Sequence, residues 1–156
     1  WEDFAAKLDE VLAQFISVYH PAYFERIGLR YINAFSRKAL DLEDVPFSEL
    51  IEPCYLGVMG EEDVNERAFL RASQEAEMNL AGGCRLKLHC GPGMVQRNDV
   101  QDKEVRFILD NDLFMTGKVE KSHTAAALNT VHTHADRAFR GAITRRLHDA
   151  MEPTEL

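Results

Sequence analysis

Gly82-Gly83-Cys84-Arg85-Leu86-Lys87-Leu88-His89-Cys90 decides the fold class. Two glycines supply the positive φ angles of a tight hairpin turn, and the residues after them alternate strictly between apolar and polar. Cys84, Leu86, Leu88 and Cys90 share one face, and Arg85, Lys87 and His89 share the other. A strand of this kind has one buried and one solvated side, the signature of an antiparallel sheet. Gly91-Pro92-Gly93 is expected to break it.

Working back across the turn, 67–80 also alternates: Ala68, Leu70, Ala72, Ala76, Met78 and Leu80 oppose Arg67, Arg71, Ser73, Glu75, Glu77 and Asn79, with Gln74 the exception on the apolar side. It reads as the first strand of the hairpin, although Glu75-Ala76-Glu77-Met78 contains helix formers that keep a helical alternative open. Forward of the hairpin, Glu104 to Phe114 places Val105, Phe107, Leu109 and Leu113 on one side, and Asn111 interrupts that row. Near the start, Ile27 to Phe35 is rich in β-branched and aromatic residues and puts Ile27, Leu29, Tyr31 and Phe35 together. Four strands are expected.

The remaining segments repeat at helical spacing. Phe4, Leu8, Val11, Leu12, Phe15 and Tyr19 predict an amphipathic helix with one buried stripe, with Asp3 as a cap and Pro21 as its stop. Asp44 to Ile51 begins like a short helix and leads into a Pro53–Gly60 loop, placed at one end of the sheet. From Ser122 or Thr124 to Met151, the stripe Leu128, Val131, Ala135, Phe139, Ala142, Ile143, Leu147 predicts one helix of about 40 Å, closed by Pro153. Helices gathered on one face of a four-stranded antiparallel sheet make an α+β fold in a single 1–156 domain.

Composition bounds the function. With 156 residues, 46% of them apolar, the chain can bury a core, and a net charge of −8 argues against bulk nucleic-acid binding. Nine acids and no Lys or Arg fall between Asp41 and Glu66, either a solvated edge or a docking surface for a basic partner. Three cysteines without C-x-x-C spacing fit neither a disulfide framework nor a zinc knuckle, so a cytoplasmic location is expected. No run approaches the roughly eighteen apolar residues needed to span a bilayer. Because the chain opens on Trp1 and runs straight into a helix, it is expected to be the C-terminal part of a longer one, with the upstream region as a partner.

Trp1-Glu2-Asp3-Phe4, the run Tyr23-Phe24-Glu25-Arg26-Ile27-Gly28-Leu29-Arg30-Tyr31-Ile32-Asn33, and the acids Asp110 and Asp112 ahead of Phe114 resemble the C-terminal part of a sporadically distributed bacterial family of uncharacterised proteins, a domain of unknown function. The resemblance spans most of the chain and is most specific over Arg26–Asn33. It implies an N-terminal region of the family's own, and it carries over no catalytic residue.

Several residues invite a chemical reading. Asp110 and Asp112 lie two apart on one strand face, where a divalent cation can bridge them or where both are simply solvated. His132 and Asp136 share a helical face that can bind a metal or, as expected without an H-E-x-x-H, simply form a mutual hydrogen bond beside the apolar stripe, while His134 points elsewhere. His148, Arg145 and Arg146 are expected in the last turns, complementing the helix dipole. His89 and Cys90 point to opposite faces and cannot form a dyad. Arg30 and Asn33 are candidate ligand-binding residues, but facing one ligand together requires a bulge or a strand end; otherwise Arg30 pairs with an acid and Asn33 ends the strand. Neither a phosphate loop nor a nucleophile elbow occurs, and no motif calls for a cofactor. The expectation is a non-enzymatic binding or assembly module, contacting a protein partner or itself. The alternatives are a metal-dependent hydrolase or nuclease built on Asp110, Asp112 and His132, and a small-molecule carrier with a groove between sheet and long helix.

Overall fold

A computed structural model describes residues 1–97 and 100–152. The elements follow in the order α1 (Glu2–Tyr19), β1 (Phe24–Phe35), α2 (Pro53–Leu56), β2 (Gln74–Asn79), β3 (Cys84–Arg97), β4 (Val100–Val119), α3 (Thr124–Arg140) and α4 (Arg145–Ala150). The four strands form one antiparallel sheet in the order β1-β4-β3-β2. With helices at both ends of the chain, the architecture is the α+β arrangement expected from the periodicities. No helix among the described residues is long and apolar enough to cross a membrane.

The hairpin stands where Gly82-Gly83 places it, both glycines at positive φ. Its first strand is shorter than the alternation suggests, because β2 pairs with β3 only from Gln74↔Cys90 to Asn79↔Arg85. Upstream, Glu66–Ala68 is a 3-10 turn capped by Asn65, whose Oδ1 accepts from the Arg67 amide at 3.0 Å. The chain then crosses Gly91 so closely that a Cβ there would lie 2.6 Å from the Ala72 carbonyl oxygen. Gly91-Pro92-Gly93 does not break β3, which continues to Arg97 against β4, with Pro92 opposite Phe107. Past Cys90, β3 has no paired strand on its outer side among the described residues, and an edge position tolerates the missing amide of proline. Strand β4 extends beyond both expected ends, as the central strand shared by β1 and β3.

One sheet face carries the core. Phe107, Leu109, Cys90 and Phe35 are covered by Phe47, Leu50, Ile51, Leu56 and Met59 from the 45–59 segment, and by Ala142, Ile143 and Leu147. A second cluster joins Cys84, Leu86 and Leu113 to Val131 and Ala135 of α3. The expected Pro53–Gly60 loop is partly helical, with α2 followed by a 3-10 turn at Gly57–Gly60. The expected single C-terminal helix is broken. Its stripe is buried as read, but α3 ends at Arg140 and α4 starts at Arg145. Between them Ile143 bridges to Ile51, the Glu52 amide donates to the Ala142 carbonyl at 3.0 Å, and the Thr144 amide donates to the Leu50 carbonyl at 2.9 Å. These cross-chain bonds replace the helical ones, and the Thr144 hydroxyl caps α4. Arg145 and Arg146 therefore open α4 instead of closing a helix; Arg146 pairs with Glu49, and His148 keeps its place in a last turn. Pro153 lies outside the described residues.

Helix α1 departs most from expectation. It starts at Glu2, so Asp3 lies in its first turn rather than at its cap. None of its residues is buried. It touches the fold through Trp1, which stacks on His132, and through Phe15, whose ring lies 6.4 Å from that of Phe24.

Candidate functional site

The two core clusters meet at Asn111. Along β4, Leu109 belongs to the first cluster and Leu113 to the second, and Asn111 stands between them on the same helix-facing side. It lies directly across from Tyr31 on β1 and from Leu88 on β3. On α3 the residue over this position is Ala135, whose small side chain leaves room that a larger one would fill. The result is a groove of about 210 Å³ lined by Tyr31, Asn33, Asn111, His132, Ala135, Asp136 and Phe139.

Asn111 is 1% exposed, and its Oδ1 has no hydrogen-bond partner among the described residues. A buried amide oxygen left in this state costs about 1–3 kcal/mol of desolvation. Rotation about χ2 exchanges the oxygen and the NH2 group, so the side chain presents either an acceptor or donors to whatever enters. At the rim, Tyr31 Oη and His132 Nδ1 lie 3.0 Å apart in a hydrogen bond, and burial pushes the Tyr31 hydroxyl above its ordinary pKa. The Trp1 indole lies flat on the His132 ring and donates from Nε1 to Asn129 Oδ1 at 3.2 Å. The expected His132–Asp136 bond is replaced by these contacts, and Asp136 instead accepts from Arg140 Nε at 2.9 Å. His134 turns to the Ala81 carbonyl oxygen at 2.9 Å.

The opposite sheet face is open and wholly polar along its centre. Glu77, Lys87, Asp112 and Arg30 form one row of alternating sign across the four strands, the next row runs Glu75, His89, Asp110 and the exposed Ile32, and Arg26 lies opposite Thr116 further along β1. Arg30 grips Asp110 through two hydrogen bonds of 2.8 and 2.6 Å. Arg26 grips Asp112 through two of 2.7 and 2.9 Å. The bonds from Arg30 hold the Asp110 carboxyl below the usual carboxylate range. Asp110 and Asp112 are therefore neighbours on one face, but each carboxylate is engaged by a guanidinium that a cation would have to displace. Among the described residues, no group of three or more His, Cys, Asp or Glu side chains is arranged to hold a metal ion.

Arg30 and Asn33 fall on opposite faces. The one register irregularity of β1 lies between Phe24 and Arg26, too early in the strand to bring them together. Asn33 reaches the groove, and Arg30 belongs to the charged face. Cys84 and Cys90 are buried as a row with Leu86, and burial pushes the Cys90 thiol up to about 11. In the acidic segment, Glu66 organises its surroundings, accepting from Arg37 Nη1 at 2.6 Å and from the Phe47 amide at 2.7 Å. Asp41, Glu43, Asp44, Glu61, Glu62 and Asp63 remain exposed.

Asn111, the centre of the groove, is absent from the candidate site residues of the sequence reading, although its signal was present: a polar residue in an apolar row. No protein-family model matches this chain, and neither a curated protein nor a solved structure matches it significantly.

Proposed function

We propose that this chain is a non-enzymatic binding module, of the bacterial family that Arg26–Asn33 resembles, and that its ligand is a small molecule held in the groove between the sheet and α3. One observation carries this reading: Asn111, almost fully buried among apolar side chains, has an amide oxygen with no hydrogen-bond partner among the described residues. A ligand offering a hydrogen bond there recovers the desolvation cost that the empty groove bears. Phe139, Ala135 and Tyr31 supply apolar walls for its hydrocarbon part, and Asp136 and Asn33 supply polar groups at the mouth. The volume of about 210 Å³ suits a small metabolite or a small part of a larger ligand that projects from the open mouth of the groove.

The hydrolase alternative has less support, because Asp110 and Asp112 point away from His132 across the thickness of the sheet. Without convergence, the three side chains cannot act on one substrate.

The test is a thermal-shift and tryptophan-fluorescence screen of small amides, amines, alcohols and carboxylates against the wild-type protein and Asn111→Leu. The expected result is a set of compounds that raise the melting temperature of the wild type and lose their effect in the variant. Ligands that stabilise both proteins equally, or a complete absence of binders, would overturn the proposal.

A further inference from the structure

Helix α1 carries an apolar face that its own fold does not cover. Phe4, Leu8, Val11, Phe15 and Val18 recur at alternating spacings of four and three, the 3.5-residue period of a helix seam. The side of α1 turned to the fold is a different one, made by the partly buried Trp1, Ala5, Leu8, Leu12 and Ile16. Leu8 belongs to both, and Phe15, whose ring also lies 6.4 Å from that of Phe24, borders both. Phe4 is 53%, Val11 66%, Phe15 42% and Val18 67% exposed. With Tyr19 beside them, these side chains present roughly 500 Å² of apolar surface, at the upper end of what a monomer ordinarily leaves uncovered.

We propose that this face is the seam of a symmetric dimer, in which α1 packs antiparallel against α1 of a second copy of the chain. The spacing makes the row self-complementary. With the twofold axis passing between Asp9 and Glu10, Phe4 meets Phe15 of the second copy, and Leu8 meets its Val11. Phe4, Leu8, Val11 and Phe15 thus each find an apolar position of the seam, Val18 reaches the Trp1 end of the second helix, and the contact closes on itself without exposing a further surface.

Charge selects the orientation. The acids Glu2, Asp3, Asp9 and Glu10 all lie in the first half of α1, whereas Val11 to Tyr19 contains no charged residue. A parallel pair would stack the two acidic halves. An antiparallel pair sets Glu2 and Asp3 level with the uncharged Ile16 and Ser17 of the partner, leaves only Asp9 and Glu10 level with one another at the axis, and sets the helix dipoles antiparallel. Lys7 and Gln14 flank the row on its free side, so no acid interrupts the contact. The roughly 500 Å² of apolar surface is more than half of the roughly 800 Å² that each partner contributes to a standard interface, and Lys7 and Gln14 add polar surface at its rim.

Sedimentation velocity at micromolar protein and two salt concentrations tests this. The wild type is expected to sediment as a dimer, more completely at high salt, where repulsion between two chains of net charge −8 is screened. Val11→Glu and Val18→Glu, both at exposed positions, are expected to be monomeric with unchanged circular dichroism and a melting temperature that no longer depends on protein concentration. A wild type that stays monomeric throughout, or a dimer unaffected by both substitutions, would overturn the proposal. Orientation is read in a Cys54→Ser background by mixing Phe4→Cys and Phe15→Cys chains. Preferential cross-linking of unlike chains supports the antiparallel seam, and efficient cross-linking of Phe4→Cys with itself would refute it.

Discussion

The indole of Trp1 lies flat on the imidazole of His132, with ring centroids 4.0 Å apart and planes 4° from parallel. This stack and the Trp1–Asn129 hydrogen bond tie the start of α1 to α3, and through His132 to the rim of the groove. Trp1 is the only tryptophan in the chain, so the junction carries its own fluorescent reporter.

Replacing Trp1 with Ala removes the stack, worth about 0.5–1.5 kcal/mol beyond its area burial. Since no residue of α1 is buried, the helix is expected to open locally before the rest of the fold. Limited proteolysis should cleave Trp1→Ala within residues 2–23 several-fold faster than the wild type, while the sheet and α3 resist cleavage in both. Equal cleavage rates would mean that the stack does not hold the helix.

Substituting Asn111 with Leu should stabilise the ligand-free protein. The change replaces a buried, unpartnered amide with an apolar side chain of similar size between Leu109 and Leu113, recovering part of the about 1–3 kcal/mol desolvation cost. Urea unfolding should show a higher midpoint at constant slope. A destabilised variant would indicate that the amide is satisfied in solution, for example by an ordered water.

Thiol chemistry should divide the cysteines one against two. Cys54 is exposed and Cys84 and Cys90 are buried, with the Cys90 thiol pushed up to about 11 and donating to the Tyr55 carbonyl oxygen at 3.3 Å. Titration with a disulfide reagent at pH 8 should show one fast-reacting thiol per native chain and three in denaturant. A second fast thiol without denaturant would show that the first core cluster, or the Cys84 end of the hairpin, opens readily.

The Arg30–Asp110 pair should give stability a recognisable acid limb. Asp110 has a folded-state pKa below its unfolded value, so its contribution is complete above the unfolded pKa of about 3.9 and is lost as the pH falls through the lowered folded value. Melting temperatures of the wild type and Arg30→Met should differ by a constant amount near neutrality and converge below about pH 4. Curves that stay parallel down to pH 3 would assign the effect of Arg30 to packing of its stem against the sheet.

Much of the fold follows from local pattern alone. Period-two alternation after Gly82-Gly83, the β-branched run at Ile27–Phe35 and the row from Phe107 to Leu113 each report a face that one pleated strand must bury, and the structure buries those faces. The same holds for the stripe from Leu128 to Leu147, whose members are all in or against the core although the helix carrying them is broken. Burial is encoded residue by residue, and helix continuity is not: the Ile51–Ile143 bridge and the Glu52–Ala142 bond that interrupt the helix come from a segment some ninety residues upstream.

The shortened β2, the uninterrupted β3 and the groove depend on the same long-range terms. Whether Gly91-Pro92-Gly93 ends a strand is settled by what lies beside it, and only the assembled sheet makes that side an edge. By itself the sequence determined an acidic α+β domain with a four-stranded antiparallel sheet, a buried cysteine row, and two acids on one face of β4. The tertiary structure decided that arginines from β1 would occupy those acids, that Ala135 would leave a space above Asn111, and that half of the apolar arc of α1 would face outward. Each of these joins residues distant in the chain, and neither periodicity nor spacing carries information about which distant side chain will arrive.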